Sequence, residues 1–316
     1  MVKRSVFLSD SEVSGFVEWL REEAIKKLKV SLTIPPSPKV PGGVKGSFVG
    51  LSGVVAAYKW RSTGREADGN HEVAEDWPST RSLLAAFRDR LQKALKEPPN
   101  EKEAFAVCQD ILRWGGNRNP NVGAEPFLKQ MHKDRALERY LRSCQQRLRL
   151  ECADESQAGA QVKKMNSMLT KVHALAACDG LPIYDSRVAV AIASLVELYR
   201  RKKARNWTDV PGYLKFPSLD RARDAQACFA EALSHGSCAQ RGDNTIQPWT
   251  SAKIRLGWIL EAALKENQLL SSEELGGETM QGRMHAFEAG LFMIGYDARC
   301  LAENFPNGRS SVLCTP

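Results

Sequence analysis

Two charged residues, Lys171 and Asp185, stand fourteen positions apart in largely apolar sequence. Lys171 is the only Lys or Arg in the segment 166–179, and Asp185 comes just before the apolar run 188–196. A lysine that apolar neighbours partly desolvate can act as a nucleophile. A carboxylate held at a helix N-terminus stays ionised and can stabilise a cation that develops in a transition state. The pair is a candidate catalytic site if the fold brings both groups to one cleft.

Both residues also have an ordinary structural interpretation. Asp185 occupies the position of a helix N-cap, where its side chain accepts a hydrogen bond from a first-turn backbone N–H. Lys171 can lay its aliphatic stem on the core and keep its ammonium group in water. The helix after Asp185 is apolar on nearly every side, which predicts that it lies inside the protein. Cap and catalytic roles are compatible, because a cap position keeps a carboxylate ionised and fixed.

The segment around this pair carries a resemblance to a known family. TKVHALAACDGLPIYDSRVAVAI, residues 170–192, resembles the core motif of the helix-hairpin-helix DNA glycosylase superfamily, in particular its 8-oxoguanine glycosylase branch. There a Lys follows the hairpin, a helix of small residues comes next, and an Asp opens the following helix. The resemblance implies that Lys171 is the Schiff-base lysine and Asp185 the catalytic aspartate. ILRWGG (111–116) and KIRLGWILE (253–261) also look like features of bacterial proteins with this fold.

Two features of the segment differ from the family motif. The residues before the lysine read Asn-Ser-Met-Leu-Thr (166–170), where the family hairpin has Gly-Val-Gly. The interval from Lys171 to Asp185 is also shorter, by about one helical turn. Lys163 and Lys164 are therefore alternative nucleophiles.

The resemblance implies a pocket for a base that is flipped out of the DNA duplex. Cleavage of the N-glycosidic bond passes through an oxocarbenium-like state, which Asp185 would stabilise. Attack by Lys171 would add strand nicking, whereas attack by water would leave only an abasic site. Tyr184, Trp114 and Trp258 are the candidate pocket walls, although each has the alternative role of an ordinary core aromatic.

Candidate DNA contacts lie in three places. The loop GNRNPNVG (116–123) is a candidate wedge for the gap left by the base, or a plain surface turn, and its residues are Asn117, Arg118 and Asn119. The basic end of the long apolar helix is expected to contact phosphates, together with a cation at its start; these residues are Arg187, Arg200, Arg201, Lys202 and Lys203. Lys253 and Arg255 form a weaker basic patch beside Trp258.

Composition limits the class of protein. The net charge of +8 favours a polyanionic partner, here double-stranded DNA. Eight Cys and five His form no metal-binding spacing, so neither a metal nor a cofactor is expected. The sequence shows no secretory signal, no membrane span and no P-loop or Rossmann glycine pattern. These features predict reduced thiols in a cytoplasmic protein, and the resemblance implies a monomer that works in the bacterial cytosol.

The predicted fold is mainly α, with a short strand pair near residues 29–60. Helices are expected after Ser9 to Ser11, after a Ser79 cap and after an Asn100 cap, and further along at 127–150, 162–177, 187–199, 220–234, 251–266 and 284–303. A polar loop is expected around 61–75. The resemblance implies one catalytic unit, 1–316, with a middle lobe at about 78–180 and a second lobe from about 1–77 plus 181–316.

Three functions fit these observations. The leading one is a DNA glycosylase that excises a damaged or modified base, in base excision repair or in defence against phage DNA with hypermodified bases. A second is a DNA-binding helical protein that keeps the fold without the chemistry. A third is a helical interaction protein, for which the basic surplus would be incidental.

Overall fold

The computed structural model describes residues 2–65, 71–117, 119–160, 162–218, 224–236 and 246–305. Helices dominate these residues, and the strands form two small antiparallel hairpins. The predicted mainly α fold with a strand pair near the N-terminus is therefore confirmed. Buried apolar side chains from all parts of the described chain form one continuous cluster.

The N-terminal part combines short helices with the first hairpin. Its elements are α1 (Arg4–Ser9), α2 (Ser11–Trp19), a π-helical turn (Leu20–Ala24), α3 (Ile25–Lys27), β1 (Lys29–Ile34), β2 (Val44–Val49) and α4 (Gly50–Ala56). Asp10 caps α2, because its carboxylate accepts hydrogen bonds from the amides of Glu12 and Val13. The Pro- and Gly-rich stretch 35–43 is the loop that joins β1 to β2.

A second hairpin occupies the segment for which a polar loop is predicted. It consists of β3 (Ser62–Arg65) and β4 (His71–Ala74), which pair antiparallel. The loop prediction is wrong because polar residues fill these strands, and the alternation of apolar residues that marks a strand is missing. Backbone pairing continues beyond the hairpin, where the Trp60 amide donates to the Glu75 carbonyl. This hydrogen bond holds the backbone at Trp60, in the segment that leads to the candidate site.

The middle of the chain is helical. Its elements are α5 (Trp77–Leu95), α6 (Glu101–Trp114), α7 (Ala124–Lys133), α8 (Leu137–Arg147) and α9 (Leu169–Ala176). Asn100 caps α6 as predicted. The cap of α5 is Asp76 rather than the predicted Ser79, because Ser79 completes a capping box from inside the first turn.

Two helix predictions in this region need correction. The basic region 127–150 divides into α7 and α8, and Arg135 between them has a left-handed φ of 52°. The helix before the candidate site starts at Leu169 rather than near residue 162, because the Asn166 side chain accepts the amides of Met168 and Leu169. Such local bonds favour a turn over a continuing helix.

The C-terminal part supplies the long buried helices. They are α10 (Ser186–Lys202), α11 (Ala225–Cys228), α12 (Ile246–Leu264) and α13 (Met280–Ile294), followed by a 3-10 helix (Ala298–Asn304). The predicted helix at 220–234 is wrong over 224–234, where only the four residues of α11 are helical, and residues 220–223 lie outside the described part. The helix predicted at 284–303 is divided between α13 and the 3-10 helix.

Two groups of helices meet across the candidate site. α5, α6 and α9 pack on one another, and α13 packs on α4, α10 and α12. The boundaries 78–180 and 1–77 plus 181–316 stay a prediction, but α9 and α10, which carry the candidate pair, belong to different packing groups. The loop 177–185 joins them.

Candidate active site

Asp185 uses its two carboxylate oxygens for different purposes. Oδ1 accepts hydrogen bonds from the amides of Arg187 at 3.0 Å and Val188 at 3.1 Å, and so caps α10. Oδ2 faces the amine of Lys171 at 3.3 Å. The side chain is thus held by the helix end and still presents one oxygen to the site.

Lys171 reaches Asp185 from the first turn of α9. Its amine donates to the carbonyl of Ser167 at 2.9 Å as well as to Asp185, and the residue is only 5% exposed. An ammonium has three N–H donors. Because the described residues provide two acceptors, one donor position is left for a ligand. The shortened interval from Lys171 to Asp185 therefore does not prevent their contact.

The electrostatics keep Asp185 ionised. Burial of the carboxyl group raises its pKa, but the Lys171 ammonium and the amide of Val188 outweigh this effect, and the resulting pKa lies below its ordinary value. A carboxylate in this state carries a full negative charge at neutral pH and stands ready to stabilise a cation.

Both groups open onto a cavity of about 310 Å³. Its walls come from well-separated parts of the chain and include five aromatic side chains: Tyr58, Trp60, Trp77, Trp114 and Phe292. The charged and histidine side chains at the cavity are Lys171, Asp185, Arg187, His285 and Glu288. A volume near the lower end of ligand pockets, about 300–1,000 Å³, suits a small flat ligand.

Gly115 makes room for the lysine. A Cβ atom at this position would lie 2.7 Å from Cδ and 3.0 Å from Cε of Lys171. Gly115 ends α6 directly after Trp114, so the same turn supplies a pocket wall and the path of the Lys171 stem.

We expect Gly115→Ala to lower the free energy of unfolding by about 1–3 kcal/mol, because the added methyl overpacks the lysine stem. Urea denaturation measures the change, and Gly212→Ala is the control, since a Cβ there has no neighbour within 4 Å. The cost should largely disappear in the double variant Gly115→Ala/Lys171→Ala, where the stem is absent. An equal cost with and without the Lys171 side chain would contradict the expected contact.

Of the three aromatic residues predicted to line a pocket, the structure places one there. Trp114 lines the cavity. The predictions for Tyr184 and Trp258 are wrong, because both are core residues with internal hydrogen bonds. The Tyr184 hydroxyl donates to the Pro217 carbonyl, and the Trp258 indole N–H donates to the Leu150 carbonyl.

Lys253 is likewise misassigned as a DNA contact. It is 0% exposed, and its amine donates to the carbonyl and hydroxyl oxygens of Thr170, both at 3.1 Å, and to the carbonyl of Pro182. The prediction fails because α12 is buried around this position. The hydrogen bonds of the Lys253 amine to Thr170 connect α12 to the start of α9. Arg255 is mostly buried and paired with Glu155, which leaves little of it for phosphate.

The basic end of α10 is largely neutralised inside the chain. Arg200 and Arg201 both bind the buried carboxylate of Glu197, and Lys203 binds Glu23. Lys202 is exposed. These pairs leave less positive charge at this helix end for the expected phosphate contacts, because most of the cations bind a buried or neighbouring carboxylate.

The predicted wedge loop is only partly described. The side-chain amide of Asn117 donates to Glu125 at 3.0 Å. Asn119 is exposed, and its side-chain oxygen accepts a hydrogen bond from the backbone amide of Asn121. Arg118 lies outside the described residues. Lys163 and Lys164, the alternative nucleophiles, do not line the cavity.

Arg187 is the predicted DNA contact that does reach the cavity. Its guanidinium carbon lies 4.1 Å from the ring centre of Tyr296, 4.8 Å from Phe292 and 5.3 Å from Trp60. Lys39, from the loop between β1 and β2, lies 5.1 Å from the centre of the same Trp60 ring. Cations stacked on aromatic rings are held in place for a ligand that approaches the cavity.

The sequence predictions missed several cavity residues. Tyr58, Trp60 and Trp77 come from the segments around the second hairpin, which was predicted as a loop. His285 and Glu288 come from α13, and their spacing of three residues places them on one helix face. That spacing was the one local signal by which the pair could have been found.

Comparisons with models of protein families, with curated proteins and with solved structures give no match to this chain. Within the described residues no group of three or more His, Cys, Asp or Glu side chains is placed to hold a metal ion. No helix of the described chain is long and apolar enough to cross a membrane. Six cysteines in the described ranges are free thiols, and Cys238 and Cys314 lie outside those ranges.

Proposed function

We propose that the protein is a DNA glycosylase that cleaves the N-glycosidic bond of a damaged or modified base. One observation carries the proposal: the buried Lys171 contacts Asp185, an ionised aspartate that caps α10, and both lie at an aromatic cavity. A purely structural ion pair would not require a cavity of this size beside it. The function also agrees with the resemblance of residues 170–192 to the glycosylase core motif.

The two charged groups divide the chemistry between them. Breaking the bond between C1′ and the base nitrogen leaves positive charge on the sugar, and the Asp185 carboxylate stabilises it. If water attacks C1′, the product is an abasic site. If the Lys171 amine attacks after it has lost a proton, a Schiff base forms and strand nicking follows.

The cavity supplies the place for the base. A base stacked in a duplex cannot reach a buried aspartate, so the nucleotide must rotate out of the helix. Flat aromatic walls such as Trp60 and Trp114 suit a planar ring that stacks or contacts them edge-on. The base would enter from the side where Arg187 and Lys39 lie, and these cations would meet the phosphates that flank it.

The partner that follows from this proposal is double-stranded DNA. The net charge of +8 raises the affinity for a polyanion, and such binding weakens steeply as salt increases. We propose that a monomer acts on DNA in the bacterial cytosol, either in base excision repair or against phage genomes that carry hypermodified bases.

A substrate panel tests the activity. Duplexes with one modified base each, including 8-oxoguanine, and phage DNA with glucosylated hydroxymethylcytosine are incubated with the protein, and abasic sites and nicks are measured. We expect base release from at least one substrate. Salt-sensitive DNA binding without release from any of them would instead support a non-catalytic DNA-binding protein.

Borohydride reduction tests the role of Lys171 separately. With the substrate that releases its base fastest, we expect a covalent protein–DNA adduct in the wild type and its loss in Lys171→Gln. Lys163→Gln is the matched control, because that lysine lies outside the cavity. An adduct that persists in Lys171→Gln would assign the nucleophile to another amine, and release without any adduct would make water the nucleophile.

A further inference from the structure

His285 faces the cavity from α13 with one ring nitrogen already occupied. Its Nδ1 lies 3.3 Å from Oε2 of Glu288. The same Glu288 oxygen accepts the amide of Ile183 at 2.9 Å. The carboxylate is thus fixed by the loop that leads to Asp185, and it fixes the plane of the imidazole in turn.

The Glu288 contact determines what the other nitrogen offers. A carboxylate accepts hydrogen bonds, so Nδ1 carries the proton and donates a hydrogen bond to Glu288. In the neutral ring Nε2 is then a hydrogen-bond acceptor. The Glu288 contact therefore orients an acceptor on a residue that lines the cavity.

This acceptor has no partner among the described residues. His285 is only 5% exposed, and its buried Nε2 makes no hydrogen bond within the part of the chain that the structure describes. Leaving a buried polar atom unpaired destabilises the folded protein. His132, His173 and His235 also leave one ring nitrogen unpaired, but none of the three lines the cavity. His285 differs from them because it is one of the residues that line the cavity.

We propose that His285 is a specificity-determining residue that accepts a hydrogen bond from an N–H group of the bound base. This inference rests on the proposed function, because it takes a flipped base as the occupant of the cavity. Glu288 acts as a positioning residue, since it orients the ring without needing to touch the base.

Two donors on the same cavity complete the recognition. Trp114 Nε1 and Arg187 Nε are buried and unpaired within the described chain, and both residues line the cavity. Indole and guanidinium N–H groups only donate. The bound ligand should therefore combine at least one N–H donor for His285 with acceptors for Trp114 and Arg187. The edges of nucleobases carry this combination of N–H donors with oxygen or nitrogen acceptors.

Nuclear magnetic resonance of ¹⁵N-histidine-labelled protein tests the proposal without requiring catalysis. Free cytosine, uracil, 5-hydroxymethylcytosine and 8-oxoguanine are added at a pH above the ordinary titration range of histidine. We expect at least one base to shift the Nε2 signal of His285, assigned with His285→Gln, while the signals of His173 and His235 stay in place. If none of these bases moves the His285 signal, the proposal is wrong.

Kinetics then separate this inference from the activity itself. On a DNA substrate that is cleaved, His285→Leu should lower kcat/KM about tenfold, and His285→Gln should recover part of the loss because its amide oxygen is again an acceptor. Equal rates for the two variants would overturn the role of His285 and leave the glycosylase intact. A shifted His285 signal without base release from any DNA would overturn the glycosylase and leave the base-reading site intact.

Discussion

Asp185→Asn is expected to reduce base release by at least about a hundredfold, the usual range for losing a charge that stabilises a transition state. The asparagine oxygen can still cap α10 through the amides of Arg187 and Val188, so the geometry of the helix end survives. The variant removes the negative charge that would face C1′, and its amide NH2 takes the place of the oxygen that accepts from Lys171. Single-turnover release of the base from the most reactive duplex measures the effect.

The chain offers a matched control for this variant. Asp10 caps α2 through the amides two and three residues further on, as Asp185 caps α10. Asp10→Asn should therefore have the same small effect on capping and leave base release unchanged. Equal rates for wild type and Asp185→Asn on every substrate would contradict the proposed function.

The second large expected effect concerns stability and pH at Lys253. Burial lowers the pKa of Lys253 to about 7 in the folded protein, from an ordinary value of 10.5. Between these two values the unfolded chain binds more protons than the folded one, so the free energy of unfolding rises as pH increases above about 7. Below about pH 7 both states are protonated, and this contribution to the slope disappears. The largest slope is about 1.4 kcal/mol per pH unit.

Urea denaturation between pH 6 and 8.5 in wild type and Lys253→Met measures this slope. The methionine has no charge, so its free energy of unfolding should lack the rise above about pH 7. The absolute stability of Lys253→Met also changes, because Thr170 and Pro182 lose their donor, and the prediction therefore concerns the slope alone. Parallel curves for the two proteins would show that Lys253 does not titrate in this range.

The features of the fold that the sequence predicts correctly are those that depend on local signals. Asp10, Asn100 and Asp185 are followed by apolar periodicity, and each caps a helix in the structure. The second hairpin was missed because its strands lack alternating apolar residues. The helix predicted to start near residue 162 starts later, because the Asn166 side chain captures two amides that a continuing helix would use.

In the candidate site, too, the sequence predicts correctly only what depends on local signals. The Lys171–Asp185 pair is close in sequence, so a motif and a turn suffice to predict their contact. The sequence predicts that Lys253 is a surface cation and that Trp258 lines the cavity, but both are buried in the core. Their environment depends on how α12 packs against α9 and the loop 177–185. The spacing of residues within α12 does not predict that packing.

The origin of the cavity walls has a consequence for how the protein matures. Residues near 58–60, 77–84, 114–115, 167–187 and 285–292 must all be in place before the cavity exists. During synthesis, residues 285–292 are made after every other segment of the cavity wall. A chain made only as far as residue 284 therefore carries Lys171 and Asp185 without the α13 wall of the cavity, so the proposed chemistry has to wait for α13 to pack.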